Sequence, residues 1–496
     1  MTPNLPFFYL ARLTLETLTP LSIGTGAADG VFDVELVRDA NGLPAIPGSS
    51  LAGVLRHLYL QTYGESDKEV DSLFRFQSGD KGEPSRLHVS WGVIQDSQGI
   101  PVEGLWLGEK ADHLNTDILL KVARATEVPV IRDRVRITHR GAASDQGKFD
   151  RSVLPAGYRF SMELSLWSDT ANDPGWQNII NLLAHPLFRL GGGGRAGLGK
   201  VEVVLAHGGC FDLKNQDDRM AFAGLPTSLA LVRGMPEIKP VYKPCSQLVS
   251  ATLKLQPLNF WRIGQGGSPH LKDTSNKPAD LLPKTEQRVV WQDGKGKPAV
   301  AELLVPATSV KGALAHRVAF HANRLDGEGK WANENGEIAK YDKSEECKAV
   351  RCLFGFARND RNNTENDEQD PDKKGQAGQL YLDDAFVAFD PGEKTKDLQM
   401  MMHNAVDRFT GGVREHFLFS EELVCNKPIT LALVIDTHQV EPIARKALRL
   451  ALDDLCQSRL SLGGGAGKGH GFFKGEIQWS DQGDWINGTN TLEEAA

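Results

Sequence analysis

Apolar and polar residues alternate in two widely separated stretches of this chain. Over 10–18, Ala11, Leu13 and Leu15 fall on one face and Arg12, Thr14 and Glu16 on the other, the pattern of a half-buried strand. Val249, Ala251, Leu253 and Leu255 repeat that pattern. Each strand leads through a Gly/Thr/Ala-rich stretch into a helical period. In the first, Ser49 or Ser50 is the N-cap, with Leu51, Val54, Leu55 and Leu58 inward. In the second, Ser309 is the N-cap, with Val310, Ala313, Leu314 and Val318 inward. The parallel continues: Leu73-Phe74 and Leu353-Phe354-Gly355 precede new strands over 87–91 and 380–382. Helical patterns over 176–183 and 444–455 lead into glycine-rich runs at 190–199 and 462–469, and strands over 200–205 and 472–479 close each copy.

A repeat this long is a whole domain rather than a solenoid unit. The order β-α-β…β-α-β predicts an α+β protein of two tandem ferredoxin-like, RRM-like domains with inserted loops and β-hairpins. The reading divides the chain into a first domain over 1–205, a connector over 206–246 with Pro226, Pro236, Pro240 and Pro244, a second domain over 247–480 and a tail over 481–496.

Composition narrows the class. A hydrophobic fraction of 40% and a charged fraction of 24% are those of a soluble globular chain. No run of eighteen apolar residues and no secretory signal pattern is present in the sequence, so a cytoplasmic protein without a membrane span is expected. The six cysteines are scattered, as in a reducing compartment. Cys347 and Cys352 would supply two metal ligands, but no second pair stands at zinc-finger spacing, so no metal site is assigned. A net charge of −8 argues against a free, strongly basic nucleic-acid binder but leaves room for local cationic sites.

The glycine runs are the strongest candidate for chemistry. A Walker A loop is excluded, because Gly467-Lys468 is followed by Gly469 and the position five before Gly467 is Leu462. A dinucleotide loop is disfavoured, because the glycines follow a helix and precede a strand. What remains is a flexible connection, or a cradle in which bare backbone N–H groups approach a phosphate chain. Recurrence at matching places favours the cradle, with Gly192, Gly193 and Arg195 in one copy and Gly464, Gly465 and Lys468 in the other.

These motifs together resemble a known family. A glycine-rich loop of the form G-G-G-x-x-G-x-G near a domain's C-terminus is similar to the signature loop of the RAMP superfamily of CRISPR-associated proteins. Ile46-Pro47-Gly48-Ser49-Ser50-Leu51-Ala52-Gly53 resembles the helix start of type III backbone subunits, Asp407-Arg408-Phe409-Thr410-Gly411 their D-R-x-T-G segment, and Leu353-Phe354-Gly355 their L-F-G. The first copy departs from the pattern, with Ile137-Thr138-His139-Arg140-Gly141 and Leu73-Phe74-Arg75 at the last two places.

The resemblance implies a fused, III-D-like double backbone subunit that binds guide crRNA and cleaves complementary target RNA. Its partners would be other RAMP backbone subunits and the large polymerase/cyclase-type subunit. It implies that Asp33, in the loop before the first helix, promotes attack by the target's 2′-hydroxyl, with a divalent cation, Mg2+, as cofactor. In the second copy Asp273 and Asp280 are the candidates, and an inactive second site stays open. Two rival readings also stay open: a non-catalytic guide scaffold, and a guide-processing endoribonuclease of the same superfamily. Further candidate RNA contacts are Arg132, Arg134 and Arg136, which alternate on one strand face, then His139 and Arg140 beyond them. Ser49, Ser50, Arg56, Ser309, Lys311 and Arg317 on the paired helices, and Arg408 and Thr410, complete the set.

Overall fold

The computed structural model describes residues 5–26, 34–64, 67–74, 76–78, 81–125, 130–138, 141–264, 266–272, 275–326, 347–356, 375–390 and 396–489. The principal elements of the first half are β1 (Phe7–Thr17), α1 (Gly48–Tyr63), β2 (Leu87–Val89), β3 (Val93–Ile94), β4 (Val130–Ile131), β5 (Arg134–Ile137), β6 (Ala143–Phe149), β7 (Ser152–Val153), β8 (Arg159–Ser168), α2 (Pro174–Leu182), β9 (Ala196–Gly197) and β10 (Val201–Asp212). The main sheet runs β10-β1-β8-β2, with β3 also against β8 and every pairing antiparallel. One face carries α1 and α2. Leu51, Leu55, Leu58 and Tyr59 meet Trp176, Ile179 and Ile180 over Leu13, Leu15, Phe160 and Leu164, forming the first core. Asp173 caps α2, accepting from the Gly175 and Trp176 amides, and Pro174 sits in the first turn, where a missing N–H costs nothing.

β1 was expected to be half-buried, yet both of its faces are covered. Arg12 is only 6% exposed. Its guanidinium donates to the carbonyls of Pro226, Ser228 and Leu231 at 2.6–2.9 Å and to Glu163 at 2.7 Å. The segment after β10, which includes α3 (Gln216–Ala223), therefore lies over the outer sheet face, where Leu10, Phe211 and Met235 form a small separate core. A polar residue at an outward strand position gave no hint that more of the same chain would cover it.

The second half contains β11 (Leu248–Pro257), α4 (Ala307–Asp326), β12 (Leu380–Asp383), β13 (Leu398–His403), β14 (Phe419–Val424), β15 (Ile429–Asp436), α5 (Pro442–Cys456) and β16 (Phe473–Trp479). Its sheet runs β12-β15-β11-β16, the first half's order again, and α4 packs with α5 on one face. β11 alternates buried and open positions as its sequence does.

The serines do not cap the helices as expected. α1 begins at Gly48 and α4 at Ala307, each after a proline, so Ser49, Ser50 and Ser309 sit inside the first turn. The Ala307 amide donates instead to Asp384 Oδ1 at 2.8 Å, a carboxylate distant in sequence.

The halves share a seam. β9, from the first half, pairs in parallel with β12 and adds a fifth strand to the second sheet. Gly197 has φ +93°, and a Cβ there would lie 2.1 Å from Asp384 Oδ1 and 2.7 Å from the Ala307 Cβ, so only glycine fits. Arg132 is buried at this seam, 2.9 Å from Glu286 and 3.0 Å from Asp384. This corrects its assignment to an exposed arginine stripe. The alternation breaks between β4 and β5, and that break buries Arg132 while Arg134 is half-buried and Arg136 exposed. Arg189 and Lys200 meet Asp383 at 2.6 and 2.8 Å. Burial raises the Asp383 pKa, but these two cations outweigh it and hold the group below its ordinary value. Burial pushes neighbouring Asp384 up to about 6, against Arg132 and the Ala307 amide.

Candidate nucleic-acid interface

The two glycine loops superpose bond for bond. Leu190 and Leu462 each donate to a glycine nine residues on, Gly199 and Gly471, at 2.8 Å. Gly199 and Gly471 in turn donate to Pro20 and Phe260, and Gly192 and Gly464 donate to Ser22 and Arg262. A Cβ on Gly191 or Gly463 would meet the Ser22 or Arg262 carbonyl oxygen at 2.3 or 2.2 Å. Each loop is thus pinned to the segment that follows the first strand of its half. Ala196 and Lys468 both donate to the third glycine, Gly193 or Gly465, so Lys468 corresponds to Ala196 and Arg195 to Gly467. The two loop cations are not equivalent, as the sequence alone had suggested they were.

The same bonds align the strand beside each loop. Leu21 and Leu154 exchange backbone hydrogen bonds, as do Trp261 and Val424. Ser152 donates to the Val34 carbonyl at 3.2 Å, and Glu422 donates to the Leu281 carbonyl at 2.9 Å. Val34 and Leu281 therefore occupy one place, and the residues before them are Asp33 and Asp280. Asp33 itself lies outside the described residues, as do Asp273, His139 and Arg140. The insertion over 264–289 hid this match from linear alignment. Asp280 Oδ2 accepts from the Ser420 amide at 2.8 Å and its hydroxyl at 3.1 Å.

Beside Gly192 and Gly193 of the first loop, cations gather. Arg151 packs its Nη1 against the loop, 2.5 Å from where a Gly192 Cβ would stand. Its Nε and Nη1 are buried without a hydrogen-bond partner. Burial lowers the pKa of Arg151, and Arg134 lowers it further. Burial also lowers Arg134. Lys311, in the first turns of α4, is pushed down to about 8 by burial and by Arg195 and Arg134. Asp436 lies near enough to Arg195 to feel its charge and offsets that member of the group in part. Unpaired buried cations are costly, and an anion would relieve that cost.

Around the second loop the chemistry differs. Glu421, 1% exposed, takes the place of Arg151. Lys468 Nζ lies 2.8 Å and His403 Nε2 2.6 Å from its Oε1, and Arg262 Nε lies 3.2 Å from Oε2. His470 Nδ1 is 4.0 Å away, buried and without a hydrogen bond. Burial raises Glu421, but Lys468 and Arg262 prevail and hold it below the ordinary carboxylate range. Burial lowers His470, as do Lys468, His403 and Arg262, against the pull of Glu421. His403 pairs with Phe419 as Arg134 pairs with Phe149, so His403 and Arg134 are also equivalent.

The chain matches the RAMP superfamily over residues 14–202 and again over 254–474, which together span most of its length. It belongs to that superfamily. RAMP proteins are associated with CRISPR effector complexes and RNA binding. They generally bind crRNA and other subunits, and they include some RNA endoribonucleases. No curated protein matches the chain. No helix among the described residues is long and apolar enough to cross a membrane.

Other candidates fall away from the RAMP glycine loops. Arg56 pairs with Asp71 at 2.9 Å, and Arg317 pairs with Asp454 beside His321. Ser49 is exposed on α1. Arg408 and Thr410 lie in an exposed turn, where Asp407 Oδ1 accepts from the Phe409 and Thr410 amides, and those bonds lower its pKa. Arg195 splits its role, donating to the Gly378 carbonyl at 2.7 Å and stacking on Tyr381 while facing Lys311. Sequence reasoning missed Arg151, Glu421, His403, His470 and Arg262. The only signal was the pairing of Asp150-Arg151-Ser152-Val153-Leu154 with Ser420-Glu421-Glu422-Leu423-Val424, which share little beyond two terminal apolar positions.

The one described cluster with metal-ligand geometry is Asp96, His113 and Asp117. Asp96 Oδ2 lies 3.0 Å from His113 Nε2, and the other carboxylate oxygens serve the backbone. Asp96 Oδ1 accepts from the Gln98 and Ile100 amides, Asp117 Oδ1 from Leu119 and Leu120, and Asp117 Oδ2 from Ser97.

Proposed function

We propose that this RAMP protein is a double backbone subunit of a type III, III-D-like CRISPR effector that holds guide crRNA and cuts the paired target RNA. We read each half as a ferredoxin-like fold, from the β-α-β…β-α-β order and the repeated strand order. The carrying observation is the cluster of Arg134, Arg151, Arg195 and Lys311 against the first glycine loop, in which burial and mutual repulsion lower the pKa values of Arg151 and Lys311. Two buried guanidinium nitrogens of Arg151 lack a partner there, and an RNA phosphate supplies the missing acceptor and negative charge. Nothing in the cluster reads a base, so binding is independent of sequence.

Asp33 precedes Val34 in sequence, and the Val34 carbonyl accepts from the amide of Ser152, the residue after Arg151. Asp33 would accept the 2′-hydroxyl proton while the arginines steady the phosphate. Asp33, which would hold the magnesium implied by the resemblance, lies outside the described residues, and in the second half Ser420 engages Asp280 Oδ2. The mechanism is therefore written without a metal. Proposed partners are target RNA, further RAMP subunits and a large polymerase/cyclase-type subunit.

The test is the assembled complex with labelled target. Arg151→Ala with Arg134→Ala should lower the RNA that co-purifies and flatten the dependence of binding on salt. Asp33→Ala should remove one cut and leave binding intact. RNA retained at wild-type level by the double variant refutes the grip. An unchanged cleavage pattern in Asp33→Ala makes the first half a scaffold.

A further inference from the structure

Each glycine loop has a guanidinium packed on its second glycine, but the two come from different segments. In the first half Arg151 Nη1 stands 2.5 Å from the Cβ position of Gly192. In the second, Arg262 Nη2 stands 3.2 Å from the Cβ position of Gly464. The backbone bonds described above match Arg262 with Ser22 and Glu421 with Arg151. The second half thus carries its guanidinium on the paired segment, and a carboxylate where the first half has Arg151.

The hydrogen bonds differ accordingly. Arg151 Nε and Nη1 are buried without a partner. Arg262 Nε donates to Glu421 Oε2 at 3.2 Å, and its Nη1 donates to the Gly264 carbonyl at 3.0 Å. Lys468 Nζ donates to Glu421 Oε1 at 2.8 Å. Burial raises the Glu421 pKa, but Lys468 and Arg262 bring it below the ordinary value, so the group is an anion at neutral pH. His403 Nε2 and His470 Nδ1 stand 2.6 and 4.0 Å from Oε1 and make no hydrogen bond. The second loop also lacks a counterpart of Arg195, because Gly467 stands at that place.

We propose that Glu421 is a built-in anion of the second glycine loop, which takes up Lys468 and Arg262 and keeps that loop from gripping an RNA phosphate. This rests on the RNA-binding reading above, and it removes Lys468 from the phosphate cradle expected from the sequence. A carboxylate of the same chain is already fixed beside the cations and pays no cost of association. A phosphate arriving there meets a like charge and finds both cations engaged. Glutamine at this position keeps the shape and an acceptor oxygen but discards the charge. Lys468 and Arg262 are then left uncompensated, as Arg151 is in the first half, and a masked phosphate site is opened.

The test is binding of a fluorescent single-stranded RNA to the full chain, titrated against salt, with a thermal melt of each variant to verify folding. Glu421→Gln should bind about tenfold tighter at low salt. Its salt slope should steepen by about 0.7, the increment of one further phosphate. Lys468→Ala added to Glu421→Gln should cancel the gain. In the wild-type background Lys468→Ala should change affinity less than about twofold, while Arg151→Ala should weaken it about tenfold. That comparison stands even where Glu421→Gln does not fold, because Lys468 is partly exposed and its truncation removes little packing. Folded Glu421→Gln that binds RNA no tighter overturns the proposal and leaves the RNA-binding reading standing. So does Lys468→Ala that weakens binding as much as Arg151→Ala. Wild-type protein that binds no RNA overturns both.

Discussion

Replacing Lys311 with methionine separates folding from function. The ammonium is mostly buried and faces Arg195 and Arg134, so its pKa falls from the ordinary 10.5 to about 8. At 1.36 kcal/mol per pH unit, holding that proton in the folded protein at pH 7 costs about 3 kcal/mol. Partial exposure and solvent screening bring the realised figure nearer to about 2 kcal/mol. Methionine keeps the apolar stem and discards the charge. Protein freed of RNA by nuclease and high salt should therefore melt several degrees higher as Lys311→Met, at roughly 2–4 °C per kcal/mol for a domain of this size. The sign of the pH dependence follows. Between pH 8 and 10.5 the unfolded wild-type chain holds a proton that the folded chain has released, so wild-type stability rises with pH through that window. The gap between variant and wild type should then close. RNA reverses the ranking. A phosphate raises the Lys311 pKa, so its help to binding is complete below about pH 8 and is lost above it. Lys311→Met should lower affinity and reduce the salt slope by about 1. Thermal melts at pH 7 and pH 10 with salt-titrated RNA binding measure both effects. Equal melting temperatures at pH 7 together with an unchanged salt slope refute the reasoning.

Two further predictions concern the scaffold. Gly197→Ala should open the seam, because its Cβ would lie 2.1 Å from Asp384 Oδ1, at a cost of about 3 kcal/mol or more, seen in calorimetry as a lower or split transition. Arg12→Leu should free the segment over 226–231 and cost about 3 kcal/mol, read as a lower melting temperature and faster protease clipping there.

The periodic elements were legible in the sequence. Alternation placed β1 and β11, and the apolar stripes of α1 and α4 emerged on the expected positions, because burial of one face enforces a pattern. The glycine loops were legible as loops, and their pairing showed that the unit is used twice. Chemistry that depends on long-range pairing was not legible. Arg132 alternates with Arg134 and Arg136 in sequence but turns inward, because β4 ends before it. Arg56 and Arg317 are as basic in sequence as Arg151, but their acids come from Asp71 and Asp454. Asp280 becomes the partner of Asp33 only through the bonds at Leu281 and Val34, which span an insertion that sequence spacing cannot measure.

β9 is only two residues long, yet it completes a sheet belonging to the other half. As separate molecules, two such domains would have to meet at the low concentrations of a cell before the ladder and the ion pairs of Arg132 and Asp383 could form. On one chain the encounter is intramolecular, at an effective concentration on the order of millimolar. Those contacts then form without the cost of bringing two molecules together. Fusion also sets the stoichiometry of the halves at one to one and fixes which comes first along the chain, so their order is written into the gene rather than left to assembly.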